Sequence, residues 1–351
     1  MENCFSFWLH CLTILKFSLI LYFQEVKVGS QKMGRDKNGI IKSIIKYISE
    51  VLILIFVIFH LSYAYVEPRA DINSKSEFNP LFRVYYSNAV IVLTYHAVDR
   101  KILGPISLSP DLFEKHMEYL KYMGFHFITP DLLRRFMEGR EDVPDNAVLI
   151  TFDDGYENFY TNAYPILKKF HIPAINFVIV SKIGKNGAFP HLKWDEMREM
   201  LKSGLIYFGS HSYDSHYLIK IGIFKKAPAL VGRKFELFGY KESEEEYETR
   251  IAFDLWYSKV LLENNLGISV KDFCFPYGAY NEKLLEIGKN LGYEVFYTTE
   301  KGINKTAKSK YILIKRLNAG SYNMTFSRFQ ALLFKYIIPH KVQSIPRKVR
   351  S

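Results

Sequence analysis

A parallel α/β fold whose strands close into a barrel is predicted by three features of the sequence. Apolar runs and helical stretches alternate regularly between residues 89 and 317, the pattern of repeated β–α units. The apolar runs lack clean alternation, as in Ala147-Val-Leu-Ile150, which suits strands covered on both faces. Several end abruptly in polar residues, as Thr151-Phe-Asp-Asp-Gly155 does. In parallel α/β architectures the carboxyl ends of strands are where loops gather and chemistry is built.

Taken in order, the chain begins with an apolar stretch, residues 5–23, interrupted by His10 and Lys16, and a cleaner one at 51–66, with a basic segment at 31–46 between them. A short basic segment, an apolar run of this length and the small-residue pattern Ser62-Tyr-Ala64 mark a secretory signal or a single membrane anchor. Residues 1–66 therefore read as a targeting or anchor region, with Met33 as a candidate start and a two-span hairpin as the rival. The remainder is expected outside the cytoplasm, secreted or held at the cell envelope. Residues 67–87, polar with two prolines, read as a linker.

The domain, 88–335, is expected to run strand 89–96, helix 112–123, strand 125–128, helix 131–137 and the Asp-Asp strand. Helix 157–170, strand 174–180, helix 194–203 and strand 205–210 follow. A charged helix, 242–265, leads to strand 273–275, helix 281–291 and strands 294–297 and 311–317. Residues 336–351 form a basic tail, solvated or touching anionic lipid.

With 351 residues, 48% of them hydrophobic, the chain has ample material for one large core. The 16% aromatic content fits sugar stacking or a membrane surface, but serves equally well as core. A net charge of +11 favours a polyanionic neighbour, either membrane or anionic envelope polymer; for an exported chain no nucleic acid partner is expected. Of the cysteines, Cys4 immediately precedes the first apolar stretch, Cys11 lies in it and Cys274 stands alone in the domain, so no disulfide forms within the domain.

Three stretches carry chemistry. Asp153 and Asp154 end a strand side by side, and neighbours on an extended backbone point to opposite sides, so the two carboxylates serve different ends. An isolated Asp-Asp-Gly is more often an Asx turn or helix cap. The second stretch, Gly209-Ser-His-Ser-Tyr-Asp-Ser-His216, closes another apolar run. His211 and His216 would stand about 140° apart on a helix, so they converge only in a loop. Two neutral imidazoles and one carboxylate suit zinc or a similar divalent ion and leave positions open for water and substrate. The third, Phe273-Cys-Phe-Pro-Tyr-Gly278, runs a strand into a tight turn that can aim the Tyr277 N–H at an oxyanion. His96 ends the first strand, where a histidine taken alone is more often a satisfied core residue.

Thr151-Phe-Asp-Asp-Gly155, His211-Ser-Tyr-Asp-Ser-His216 and Phe275-Pro-Tyr-Gly278, in this order, resemble the first three motifs of the polysaccharide deacetylase family, the nodulation-type deacetylase homology domain, over about residues 88–335. The resemblance implies a distorted (β/α) barrel of about seven strands that removes acetyl groups from sugar polymers. Leu93-Thr-Tyr-His-Ala97, Leu192-Lys-Trp-Asp-Glu-Met-Arg-Glu199 and the histidine spacing are similar to the branch that de-N-acetylates exported poly-N-acetylglucosamine. Peptidoglycan and chitin oligosaccharides are the nearest rival substrates, because sugar contacts lie in variable loops such as 221–240. An inactive carbohydrate-binding protein is the rival of another class.

By the same resemblance Asp153 is the general base, Asp154, His211 and His216 hold the metal, by default zinc with cobalt, nickel or iron acceptable, and Tyr277 supplies the oxyanion N–H. Two departures stand out. The family's arginine before Pro-Tyr is absent, and its late Leu-x-His is replaced by Ile314-Lys-Arg-Leu317. Arg316 is the candidate positive partner of the base, and His96 the candidate general acid.

Overall fold

The computed structural model describes residues 84–341 apart from 102–103, 188, 237–238 and 307–308. The expected targeting region, most of the linker and the tail beyond residue 341 lie outside the described residues. The chain forms β1 (Val90–Tyr95), the short β2 (Ala97–Val98) and β3 (Ser107–Leu108), and helix α1 (Pro110–Tyr122). Then come β4 (His126–Phe127), α2 (Pro130–Met137), β5 (Ala147–Phe152), α3 (Tyr164–Phe170), β6 (Ala174–Val178), α4 (Trp194–Lys202) and β7 (Ile206–Ser210). A hairpin of β8 (Leu218–Lys220) and β9 (Lys226–Pro228), overlapping the expected loop 221–240, precedes α5 (Glu244–Leu266) and β10 (Asp272–Cys274). The chain continues through α6 (Glu282–Asn290), β11 (Val295–Tyr297), β12 (Ile312–Ile314), β13 (Leu317–Asn318) and α7 (Phe326–Lys341).

Local chemistry starts the helices where the sequence places them. The side chains of Ser109, Thr129, Ser243 and Asn281 accept backbone N–H bonds at the N-termini of α1, α2, α5 and α6, satisfying donors the first turn leaves free. The helix expected over 157–170 opens instead as a π turn, Phe159–Ala163, before α3. Pro165, in the first turn of α3, has no N–H to close an ordinary α turn, and the wider turn accommodates it.

The sheet runs β12-β11-β10-β7-β6-β5-β1-β13, with β4 also on β5, and every pairing is parallel. The single strand expected over 311–317 is divided between its two edges: β12 pairs with β11 and β13 with β1. The sheet therefore curls until only Lys315 and Arg316 separate one edge from the other. Asn304 stitches this seam. Its backbone exchanges hydrogen bonds with Val90, and its side chain bonds the N–H and carbonyl of Lys315.

Both faces of the sheet are buried, as unbroken apolar runs require. In β1, Val90 and Val92 face inward with Leu149, Ile175, Phe177, Tyr297 and Ile314. Ile91, Leu93 and Tyr95 face outward, in one core with helix residues such as Phe113, Met117 and Leu167. Truncating one of these fully buried side chains to Ala would cost about 2–5 kcal/mol. The packing begins before residue 88: the Tyr85 and Tyr86 N–H groups bond the Asn146 side chain, and the Tyr86 hydroxyl donates to the Ala147 carbonyl. Because the strands are parallel, the carboxyl ends of β1, β5, β7, β10 and β12 share one rim.

Candidate metal centre and active site

On that rim the structure brings together Asp153, Asp154, His96, His211, His216, Tyr277 and Arg316. Phe152 at the end of β5 points outward, so alternation turns Asp153 into the barrel. There Arg316, from the seam, grips it with Nη1 on Oδ1 and Nη2 on Oδ2, both at 2.8 Å. Arg316 is held in turn by Nε donating to the Thr298 carbonyl at 2.8 Å. Burial would push the Asp153 carboxyl up, but the charge and hydrogen bonds of Arg316 outweigh it and hold it well below the usual carboxylate range. Burial likewise opposes the Arg316 charge, and Asp153 more than restores it.

Asp154 leaves the strand in the left-handed region, with φ 75°. Gly155 follows at φ 76°, and a Cβ there would sit 2.8 Å from Val178 Cγ1, so glycine is needed for the chain to turn under β6. The turn aims the Asp154 carboxylate away from Asp153. Its Oδ1 is buried with no hydrogen-bond partner among the described residues, and lies 3.5 Å from both His211 Nε2 and His216 Nε2. His211 Nδ1 is 2.8 Å from the Cys274 carbonyl. A carbonyl can only accept, so Nδ1 carries the proton and Nε2 presents a lone pair. Burial is the main reason the His211 imidazole is lowered to about 4, which keeps it neutral and able to donate its Nε2 lone pair.

A buried carboxylate oxygen with no hydrogen-bond partner among the described residues, facing two imidazole nitrogens, is a donor set that fits a divalent metal. Asp153, His211 and Cys274 also lie close enough to one another for ligation. There, however, both Asp153 oxygens are taken by Arg316, and burial pushes the Cys274 thiol well above its usual range. Of the two groups, the one built on Asp154 has the free donors.

The remaining expected residues border this centre. His96 Nε2 lies 3.8 Å from Asp153 Oδ2, and its buried Nδ1 has no partner among the described residues. Tyr277 adopts φ 60°, its ring lies 4.6 Å from that of His216, and its hydroxyl donates to the His216 carbonyl at 3.3 Å. A Cβ on Gly278 would fall 2.0 Å from Thr299 Oγ1, which ties the Pro-Tyr-Gly turn to glycine.

Sequence reasoning missed the residue that shapes the histidine loop. Asp254 of α5 is buried and accepts from the Tyr213 N–H at 2.9 Å, the Asp214 N–H at 3.0 Å and the Ser215 hydroxyl at 2.7 Å. The signal was present: Asp254 shares its helix face with Tyr247, Ile251, Leu255 and Leu262, and a lone carboxylate on an apolar face must have partners. Cys274, which has no disulfide partner in the domain, also borders the centre: its sulfur sits 3.1 Å from Arg316 Nη2.

Comparison with known proteins adds an independent line. Residues 140–296 match the family described as polysaccharide deacetylase. The poly-beta-1,6-N-acetyl-D-glucosamine N-deacetylase of Staphylococcus aureus (strain MRSA252) is 31% identical over 248 residues, covering 65% of this chain and 78% of that protein. The enzyme of the same name from Escherichia coli (strain K12) is 28% identical over 233 residues, covering 62% of this chain and 34% of its own. The chain thus spans about a third of the length of the Escherichia coli relatives it matches. Among solved structures, IcaB from Ammonifex degensii superposes with a TM-score of 0.61 at 27% identity, covering 72% of this chain and 98% of that one. A de-N-acetylase from Aggregatibacter actinomycetemcomitans does so with a TM-score of 0.62 at 25% identity, covering 70% and 99%.

Proposed function

Since the chain belongs to the polysaccharide deacetylase family, we propose that it is a metal-dependent hydrolase removing N-acetyl groups from the N-acetylglucosamine residues of an exported polysaccharide, poly-N-acetylglucosamine. The observation that carries this reading is the division of the two adjacent carboxylates: Asp153 is locked on Arg316, while Asp154 offers a bare oxygen to the space between two histidines. One is equipped to move a proton, the other to hold a cation.

Asp154, His211 and His216 would hold the metal, with zinc the expected ion. When bound, a divalent ion there supplies Lewis acidity to the amide carbonyl and lowers the pKa of water toward about 7. Asp153, kept ionised by Arg316, accepts the proton of the attacking water; each of its oxygens retains a lone pair beyond the one given to the guanidinium. The N–H of Tyr277 donates to the oxyanion as the carbonyl becomes tetrahedral. His96, on the side of Asp153 given by β1, hands a proton to the departing sugar nitrogen.

We place this work outside the cytoplasm, at the envelope. No helix among the described residues is long and apolar enough to cross a membrane. The turn between β8 and β9 exposes Ile223 and Phe224 among Lys220, Lys225 and Lys226, a combination suited to an anionic lipid surface.

Metal analysis of the purified protein together with acetate release from N-acetylglucosamine polymer and from peptidoglycan tests the function. Replacing Asp154, His211 or His216 by Ala should lower metal content and activity together, whereas Asp153→Asn should keep the metal and lose turnover. An Asp153→Asn protein that is empty beside a metal-replete Asp154→Asn protein would reverse the two roles.

A further inference from the structure

We propose that the solvent face of α5 beside the histidine loop is a sugar-binding platform, formed by Tyr213, Phe253, Trp256 and Tyr257, that holds the polysaccharide chain beyond the residue being deacetylated. For the identity of the chain it rests on the function proposed above. Tyr213 lies in the loop between the metal-site histidines, and its ring packs edge-on against Tyr257 at 4.7 Å. Tyr257 is stacked with Phe253 at 5.4 Å and with Trp256 at 6.0 Å. Phe253 and Trp256 are 54% and 47% exposed. The rings therefore continue the wall of the site outward as one aromatic surface.

The inner face of α5 already packs in the core through Tyr247, Ile251, Leu255 and Leu262; Tyr213 rests partly on that core, whereas Phe253, Trp256 and Tyr257 lie outside it. A contiguous aromatic patch left in water marks a binding surface. Its register to the metal centre is rigid, because Asp254, flanked by Phe253 and Leu255, holds the loop of His211 and His216 by three hydrogen bonds. A pyranose ring offers an apolar face of C–H groups to such a plane and keeps its hydroxyls in water, and ring side chains lose little rotamer freedom on contact. Charge favours this occupant over lipid. The platform itself holds no lysine or arginine, and the exposed Asp214 beside Tyr213 would repel an anionic surface while attracting the amines that deacetylation leaves on the chain.

The test is the double variant Phe253→Ala/Trp256→Ala of the full chain, titrated calorimetrically with N-acetylglucosamine disaccharide and hexasaccharide, with aryl acetate hydrolysis as the check on the catalytic centre. The parent should bind the hexasaccharide more tightly than the disaccharide. The variant should lose roughly tenfold on the hexasaccharide alone, with aryl acetate turnover unchanged, and Trp256→Tyr should retain the parent's affinity. Equal hexasaccharide affinity in parent and double variant overturns the platform. So does a parent that does not bind the hexasaccharide, or a variant that loses vesicle binding or self-association instead. A hexasaccharide bound through these rings but never deacetylated would sink the proposed function and leave the platform standing.

Discussion

Arg316 and Asp153 meet in a two-pronged ion pair inside the barrel, guanidinium to carboxylate at 2.8 Å on both sides. The pair joins the seam of the sheet to its centre. Arg316→Leu should leave Asp153 with burial and without its main counter-charge, so the carboxyl moves up. A base with a raised pKa is deprotonated only at higher pH, so the acidic limb of kcat/KM should shift alkaline. Stability should fall by about 3–5 kcal/mol at neutral pH, as expected for a buried ion pair stripped of one partner. An unmoved acidic limb in a folded variant would remove Asp153 from the role of base.

His96 lies 3.8 Å from Asp153 Oδ2 on the rim given by β1. His96→Ala should preserve metal content and reduce amide cleavage by roughly a hundredfold or more, while sparing activated aryl acetates, whose leaving group needs no proton. Equal losses on both substrates would make His96 a positioning residue.

The three hydrogen bonds received by Asp254 predict a metal phenotype from a residue that touches no metal. Asp254→Ala should weaken zinc or cobalt binding by about 10- to 100-fold through loosening of the histidine loop. Asp254→Asn, which keeps one acceptor oxygen, should fall between. Unchanged metal affinity in the Ala variant would show that the loop holds its shape without the clamp.

Asp272, at the amino end of β10, is pushed up to about 6 by burial, although the Tyr297 hydroxyl donates to it. An unfolded aspartate titrates near about 3.9, so between these values the folded protein holds a proton that the unfolded chain has released. The stabilising contribution is complete below about 4 and is lost as pH rises through about 6. Asp272→Asn should therefore gain on the order of 2 kcal/mol relative to the parent between pH 4 and pH 8, read by denaturant unfolding at both.

How much of this was legible differs from residue to residue. The parallel architecture and the strand ends bearing His96, Asp153 and His211 were readable because a strand covered on both faces must be apolar throughout and can turn polar only where it leaves the sheet. The replacement of a histidine motif by Lys315-Arg316 pointed to Arg316, and the structure puts that residue on Asp153. The division of 311–317 into β12 and β13 was not readable: one apolar run carries no mark of which neighbour each half pairs with. Asp254 was hidden by its own helix, where the acidic opening Glu244-Glu-Glu246 made one more carboxylate look like solvated charge. Only its phase against Ile251 and Leu255 distinguishes it.

The seam sets the order in which this molecule becomes competent. Asp153 and its guanidinium partner are 163 residues apart in sequence, and the strand that follows Arg316 is the last of the sheet. Such distant pairing is slow, because the loop must be closed before the contact returns anything. During synthesis β1 and β5 emerge well before the guanidinium that compensates the Asp153 carboxylate in the folded barrel. A chain stopped short of residue 316 should hold most of the helices and strands and still be unable to settle its own centre, which makes closure of the sheet the last checkpoint before function.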